Sequence, residues 1–211
     1  MWGYAICSAM GLIAGGLVAW KLQMPRPPQQ VRLPIYVCAF VGAILGAKVP
    51  IWLSYGWYDY LIQGKSVMGG MLGAFLAINL YKKCSGHTGG FGGRFVIPLA
   101  VAVGFGKIGC YLAGCCGGTL AFPVQLIESL FSFACAIFLY GLYRRTRRAE
   151  WLFPVYLLLY LSMRFVIEFW RLEPKILWGL TVYQWLALAF IPLFFLILWR
   201  RTHDNVVVAG R

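Results

Sequence analysis

Long apolar runs recur along this chain, close in length and nearly free of charge, and a soluble fold has nowhere to bury them all. They cover about 3–20, 33–54, 67–81, 94–113, 123–143, 151–170 and 180–199. A helix needs about 20 mostly apolar residues to cross the hydrocarbon core. Helices and closed barrels are the structures that satisfy their own backbone there. The pattern predicts an all-α, polytopic integral membrane protein with seven transmembrane helices in a single domain, 1–211. The third run is short and glycine-rich. Composition agrees: 12% of residues are charged, against about 25% in soluble domains. No basic segment precedes the first run, so it is not expected to be a cleaved signal peptide.

The formal net charge is +13. A basic chain often binds nucleic acid, but here the basic residues sit in short runs between apolar stretches, and no nucleic-acid partner is expected. Lys21, Arg26 and Arg32 flank the first connection, which also carries Pro25, Pro27 and Pro28. The third holds Lys82, Lys83 and Arg94, the fifth Arg144, Arg145, Arg147 and Arg148, and the tail Arg200 and Arg201. The second has only Asp59 and Lys65, the fourth no charge, and the sixth mixes Arg171, Glu173 and Lys175. Basic connections mark the cytoplasmic side. This alternation puts the N-terminus outside and the C-terminus in the cytoplasm. The glycine-rich third connection, SGHTGGFGG, has no preceding strand and no GK[ST], so it reads as a linker rather than a phosphate loop.

Five ionisable residues fall inside the expected spans: Lys48, Lys107, Glu128, Arg164 and Glu168. Each costs several kcal/mol against lipid unless paired or facing a polar cavity. Arg164 and Glu168 stand four apart and share a helix face, with Arg171 one further turn along. The excess of cations suits an anionic ligand, and a phospholipid phosphate is the common one in a membrane. The bland alternative is a set of salt bridges stapling the bundle.

The fourth run ends GFGKIGCYLAGCCGG, 104–118. On an unbroken helix Cys110 and Cys115 stand about 140° apart. They gather only if the helix breaks, which Gly114, Gly117 and Gly118 favour. Three readings stay open: inert packing cysteines, a disulfide or dithiol at an oxidising face, or a thiolate favoured by Lys107. A structural zinc site is weaker, because no histidine is near and the spacing is not a paired CxxC. No metal and no cofactor are expected.

Seven segments in order resemble the prolipoprotein diacylglyceryl transferase family: YAICSAMG from Tyr4, GAILGAK ending at Lys48, KSVMGGMLG with Gly69 and Gly70, GKIGCYLAGC, FPVQLIE with Gln125 and Glu128, RFVIEFWRLEP, and LTVYQW. The resemblance implies a bacterial inner-membrane enzyme that moves the diacylglyceryl group of phosphatidylglycerol onto a lipoprotein cysteine. Against the family pattern, Met68 and Phe122 replace histidines, Lys107 an arginine, Cys110 an asparagine and Cys115 a glutamate. Lysine lacks the bidentate fork that grips phosphate.

The reading is a transferase using an anionic phospholipid donor with a modified, thiol-containing site. Catalysis is expected from Cys110, Cys115, Cys116, Lys107, Glu128 and Glu168. Substrate binding is expected from Arg164, Arg171, Lys48, Tyr4, Gln125, Gly69 and Gly70. The partners expected are a phosphatidylglycerol-like lipid and a thiol-bearing acceptor. The alternative is a membrane thiol–disulfide or sulfur-compound handling or transport protein on the same scaffold.

Overall fold

The computed structural model describes residues 2–22, 24, 26–56, 64–87, 92–117 and 123–209, with 204–209 as helix backbone. Pro25, Asp59, Gly118, Phe122 and the segment 88–91 lie outside the described residues. Among the described residues, seven α-helices follow in order: α1 (Trp2–Leu22), α2 (Gln29–Tyr55), α3 (Val67–Ser85), α4 (Gly93–Leu112), α5 (Val124–Thr146), α6 (Ala149–Ile167) and α7 (Val182–Ala209). A 3-10 turn, Glu168–Trp170, continues α6.

The seven expected helices are present, and six have the length and composition of a membrane span. The exception is α3, where Gly69, Gly70 and Gly73 and the terminal Lys82 and Lys83 dilute the apolar run. Leu12, Leu130 and Ile137 are each more than 70% exposed, a surface suited to lipid. The chain is a multi-pass membrane protein.

Two compact units make up the chain: Met1–Pro25, Gly90–Leu172 and Ala187–Arg211 form one, Arg26–Gly89 and Glu173–Leu186 the other.

In the second unit, α2 packs on α3 through small residues. Gly42 and Gly46 face Gly69 and Gly73. A Cβ on Gly46 would strike the Gly69 carbonyl oxygen, one on Gly69 the Gly46 carbonyl, and one on Gly73 the Gly42 carbonyl. Paired small-xxx-small spacings let two backbones touch in this way. The start of α3 is tied back to α2. Ser66 N donates to Ala47 O at 2.9 Å, Lys48 Nζ to Gly64 O at 3.0 Å, and Ser66 Oγ caps the helix by accepting from Gly69 N at 3.2 Å.

A small hairpin, β1 (Lys175–Leu177) against β2 (Leu180–Thr181), adds to the expected all-α architecture. Its two-residue turn has positive φ at Trp178 (51°) and Gly179 (71°), the twist that suits such a hairpin. Trp178 is exposed, its ring centroid 5.5 Å from that of Trp185. The expected span beginning at 180 starts two residues later because Thr181 and Gln184 form a capping box. Gln184 N donates to Thr181 Oγ1 at 3.3 Å, and Thr181 N to Gln184 Oε1 at 3.0 Å. This reciprocal pairing satisfies donors that a helix start leaves open.

In the first unit, α4 is the central element, packed by α1, α5 and α6. Ser129 Oγ donates to Gly104 O at 2.8 Å, fastening α5 to α4 where Gly104 makes room for the Phe133 ring.

Candidate active site

The charged residues of the first unit meet where α4, α5 and the end of α6 converge. Glu128 on α5 is fully enclosed. Its carboxylate takes Lys107 Nζ from α4, Arg164 Nη1 from α6 at 2.6 Å and Arg171 Nη1 at 3.5 Å. Glu168 Oε2 meets Arg164 Nη2 at 3.1 Å and Arg171 Nε at 3.6 Å. The four-residue spacing of Arg164 and Glu168 does place them on one face, and the 3-10 turn brings Arg171 back onto both carboxylates. All five side chains are buried. Among the described residues, three cations meet two carboxylates here. A buried network of this kind holds three helical segments in register. A cation-rich cluster also favours an anion.

The cysteine segment leaves α4 as the glycines suggest. Leu112 ends the helix, Gly114 takes φ 65° and Cys116 φ 57°. Left-handed backbone is open to glycine and uncommon for cysteine. Cys115 N still donates to Cys110 O at 3.0 Å, so the chain folds back over the helix end. The three sulfurs of Cys110, Cys115 and Cys116 lie within 4.8 Å of one another. The angular separation of an ideal helix does not apply once the chain reverses.

Two long side chains hold this turn by its main chain. Gln125 Nε2 donates to Cys115 O at 3.0 Å, and Arg171 Nη1 to Cys116 O at 2.8 Å. Arg171 therefore joins the charge network to the thiols. These clamps were not visible in the sequence, because a backbone carbonyl acceptor leaves no residue-type signature.

Cys115 and Cys116 are exposed and Cys110 half-buried. The Cys116 thiol is pulled down to about 5. Its hydrogen bond with Cys110 is the main cause, and the charges of Lys107 and Arg171 add to it against an opposing effect of desolvation. In chelator-washed, reduced protein, Cys116 should be the thiol that iodoacetamide labels first. Its labelling rate should hold nearly level from about pH 8 to 6 and fall only as the medium approaches its own titration near 5. Peptide mass spectrometry of pH-stepped reactions reads this directly. A rate that climbs about tenfold per pH unit up to pH 8, as an ordinary thiol's does, would contradict it.

The other expected residues fall as follows. Tyr4 on α1 packs over Gly109, its backbone and ring 3.3 Å from where a Cβ would sit. Lys48, Gly69 and Gly70 belong to the second unit. There Lys48 holds the Gly64 carbonyl, and Gly69 is part of the helix crossing. Met68 is buried on α3.

A family model described as prolipoprotein diacylglyceryl transferase matches residues 1–200. Among similar curated proteins, the phosphatidylglycerol–prolipoprotein diacylglyceryl transferase of Clostridium tetani is 26% identical over 209 residues, covering 83% of this chain and 82% of its own. A second, from Clostridium perfringens, is 25% identical over 207 residues, covering 83% and 80%. A third, from Idiomarina loihiensis, is 30% identical over 191 residues, covering 73% and 70%.

Proposed function

Because the chain belongs to the prolipoprotein diacylglyceryl transferase family and is a transferase, we propose that it moves a diacylglyceryl group from a phosphatidylglycerol-like donor onto the cysteine thiol of a lipoprotein precursor. The observation that supports this reading is the buried cluster of the three cations Lys107, Arg164 and Arg171. A phosphodiester carries a negative charge that such cations attract. The acceptor sulfur bonds to the terminal glyceryl carbon, the carbon–oxygen bond to phosphate breaks, and glycerol phosphate leaves as the thiol proton is released. Charge grows on the departing phosphate, where fixed cations stabilise it most.

In this reading Arg164, Arg171 and Lys107 hold the phosphate, and Glu128 and Glu168 hold the cations. Gln125 positions the thiol turn. Lys48, Tyr4, Gly69 and Gly70 are assigned to donor binding on the family motifs alone. The chain works as a seven-span domain in a bacterial cytoplasmic membrane, N-terminus outside. Cys110 and Cys115 take the place of the family's asparagine and glutamate.

Purified protein incubated with labelled phosphatidylglycerol and a lipobox peptide should yield a peptide heavier by one diacylglyceryl group. No transfer, under conditions where another family member works, would remove the reading. A second reading, thiol–disulfide handling on the same scaffold, draws on the closeness of the three sulfurs. It requires an intact mass that shifts by two hydrogens between oxidised and reduced protein.

A further inference from the structure

Among the described residues, the thiol cluster has no ordinary base beside it: Glu128 and Glu168 are both engaged by cations. Of the two histidines, His203 sits on α7, where its ring stacks on Trp199, and His87 belongs to the other unit. The cluster itself offers three sulfurs, of which those of Cys115 and Cys116 belong to exposed residues. A zinc-class ion with metal–sulfur bonds of about 2.3 Å needs sulfurs about 3.8 Å apart in a tetrahedral site. Sulfurs within 4.8 Å reach that by small side-chain rotations. Gln125 and Arg171 fix the backbone of the two turn cysteines, so the ligands are held before any ion arrives. Soft sulfur ligands select thiophilic ions over magnesium or calcium.

We propose that Cys110, Cys115 and Cys116 bind a thiophilic divalent cation of the zinc class, in a three-sulfur site whose open fourth position takes the sulfur of the acceptor cysteine. The spacing in the chain argues against a metal. The left-handed turn at Gly114 reverses that judgement, because it brings the three ligands to one side. Three protein ligands with one position open is the arrangement of catalytic rather than structural zinc. A thiol that coordinates such an ion gives up its proton. The acceptor sulfur then attacks the glyceryl carbon as a metal-bound thiolate, and the thioether formed is a poorer ligand and departs. The proton goes to solvent and the bonding pair of the broken carbon–oxygen bond goes to glycerol phosphate. The ion's oxidation state does not change. This last step rests on the transfer reading above; the metal site itself does not.

The test uses the full-length protein in detergent, stripped with chelator, reduced and titrated with cobalt(II). Wild type should bind about one ion per chain and develop sulfur-to-cobalt charge transfer with the visible bands of a tetrahedral site. The triple variant Cys110→Ser, Cys115→Ser, Cys116→Ser should show neither. So should wild-type protein alkylated before cobalt is added, which covers a variant that does not fold. Each single serine variant should lose more affinity than the 10–100-fold typical of an outer-shell partner. No charge-transfer band in wild type, or a band that survives in alkylated protein, overturns the site. A lipobox peptide should then perturb the cobalt spectrum, and its serine counterpart should not. If the peptide leaves the spectrum unchanged, the open-position role is overturned. With zinc restored and donor lipid present, transfer should run about 100-fold or more faster than in chelated protein. Spectra that behave as expected without any transfer would sustain the metal site and remove the transfer reading instead.

Discussion

Replacing Glu128 by Gln should cost the protein about 3–5 kcal/mol, the penalty for removing one partner of a buried ion pair. Glu128 is completely enclosed and accepts from Lys107, Arg164 and Arg171. An amide of the same shape carries no charge, and its NH2 group confronts one of these cations with another donor. The three cations would then face one another with one carboxylate fewer among them, in a region with little water to screen them. The measurement is thermal unfolding in detergent, where the variant should melt well below wild type or fail to accumulate. Removing a cation as well separates electrostatics from shape. Glu128→Gln with Lys107→Met restores the original net charge of these five positions and should recover part of the loss, since apolar replacement of a buried pair is often close to neutral. A single variant as stable as wild type would mean that the network does not hold the helices together.

Gly69→Leu should be the most damaging change in the second unit. The missing Cβ of Gly69 faces the Gly46 carbonyl and the Pro50 ring. Backbone cannot rotate away as a side chain can, so α2 and α3 must separate along their whole contact. Overpacking a core typically costs 1–3 kcal/mol, and a backbone collision belongs at or above the top of that range, about 3 kcal/mol. Gly16→Ala is the matched control, because a Cβ there meets nothing within 4 Å. It should cost nothing measurable. Both are read from melting temperature and from recovery of folded protein after membrane extraction. Equal stability of the two variants would refute the crossing as a tight contact.

The helices were legible because hydropathy acts over some 20 residues and tolerates local exceptions. The third was recognised as short and glycine-rich, and its glycines also keep it below the hydropathy of a full span. The hairpin was not legible. KILWGLT is apolar at both ends, and its turn depends on Trp178 adopting a left-handed backbone that tryptophan seldom takes. The start of α7 was within reach: Thr181-x-x-Gln184 is a capping pattern, but the same residues also belong to the LTVYQW resemblance. In the candidate site, the pairing of Arg164 with Glu168 follows from spacing alone. The convergence of Lys107 and Glu128 on them needs α4, α5 and α6 side by side, and no local pattern encodes that. The thiol cluster stood between these cases. The glycines announced a break in the helix, but the direction of the chain after it depends on the Gln125 and Arg171 bonds to two carbonyls.

The crossing of α2 and α3 also acts as a barrier to lipid. Where Gly42, Gly46, Gly69 and Gly73 let two backbones touch, no gap remains for an acyl chain, whose thickness is that of the side chains the glycines lack. A chain of methylenes therefore cannot pass between these two helices at the level of the glycines. Within that unit the seam works as a wall.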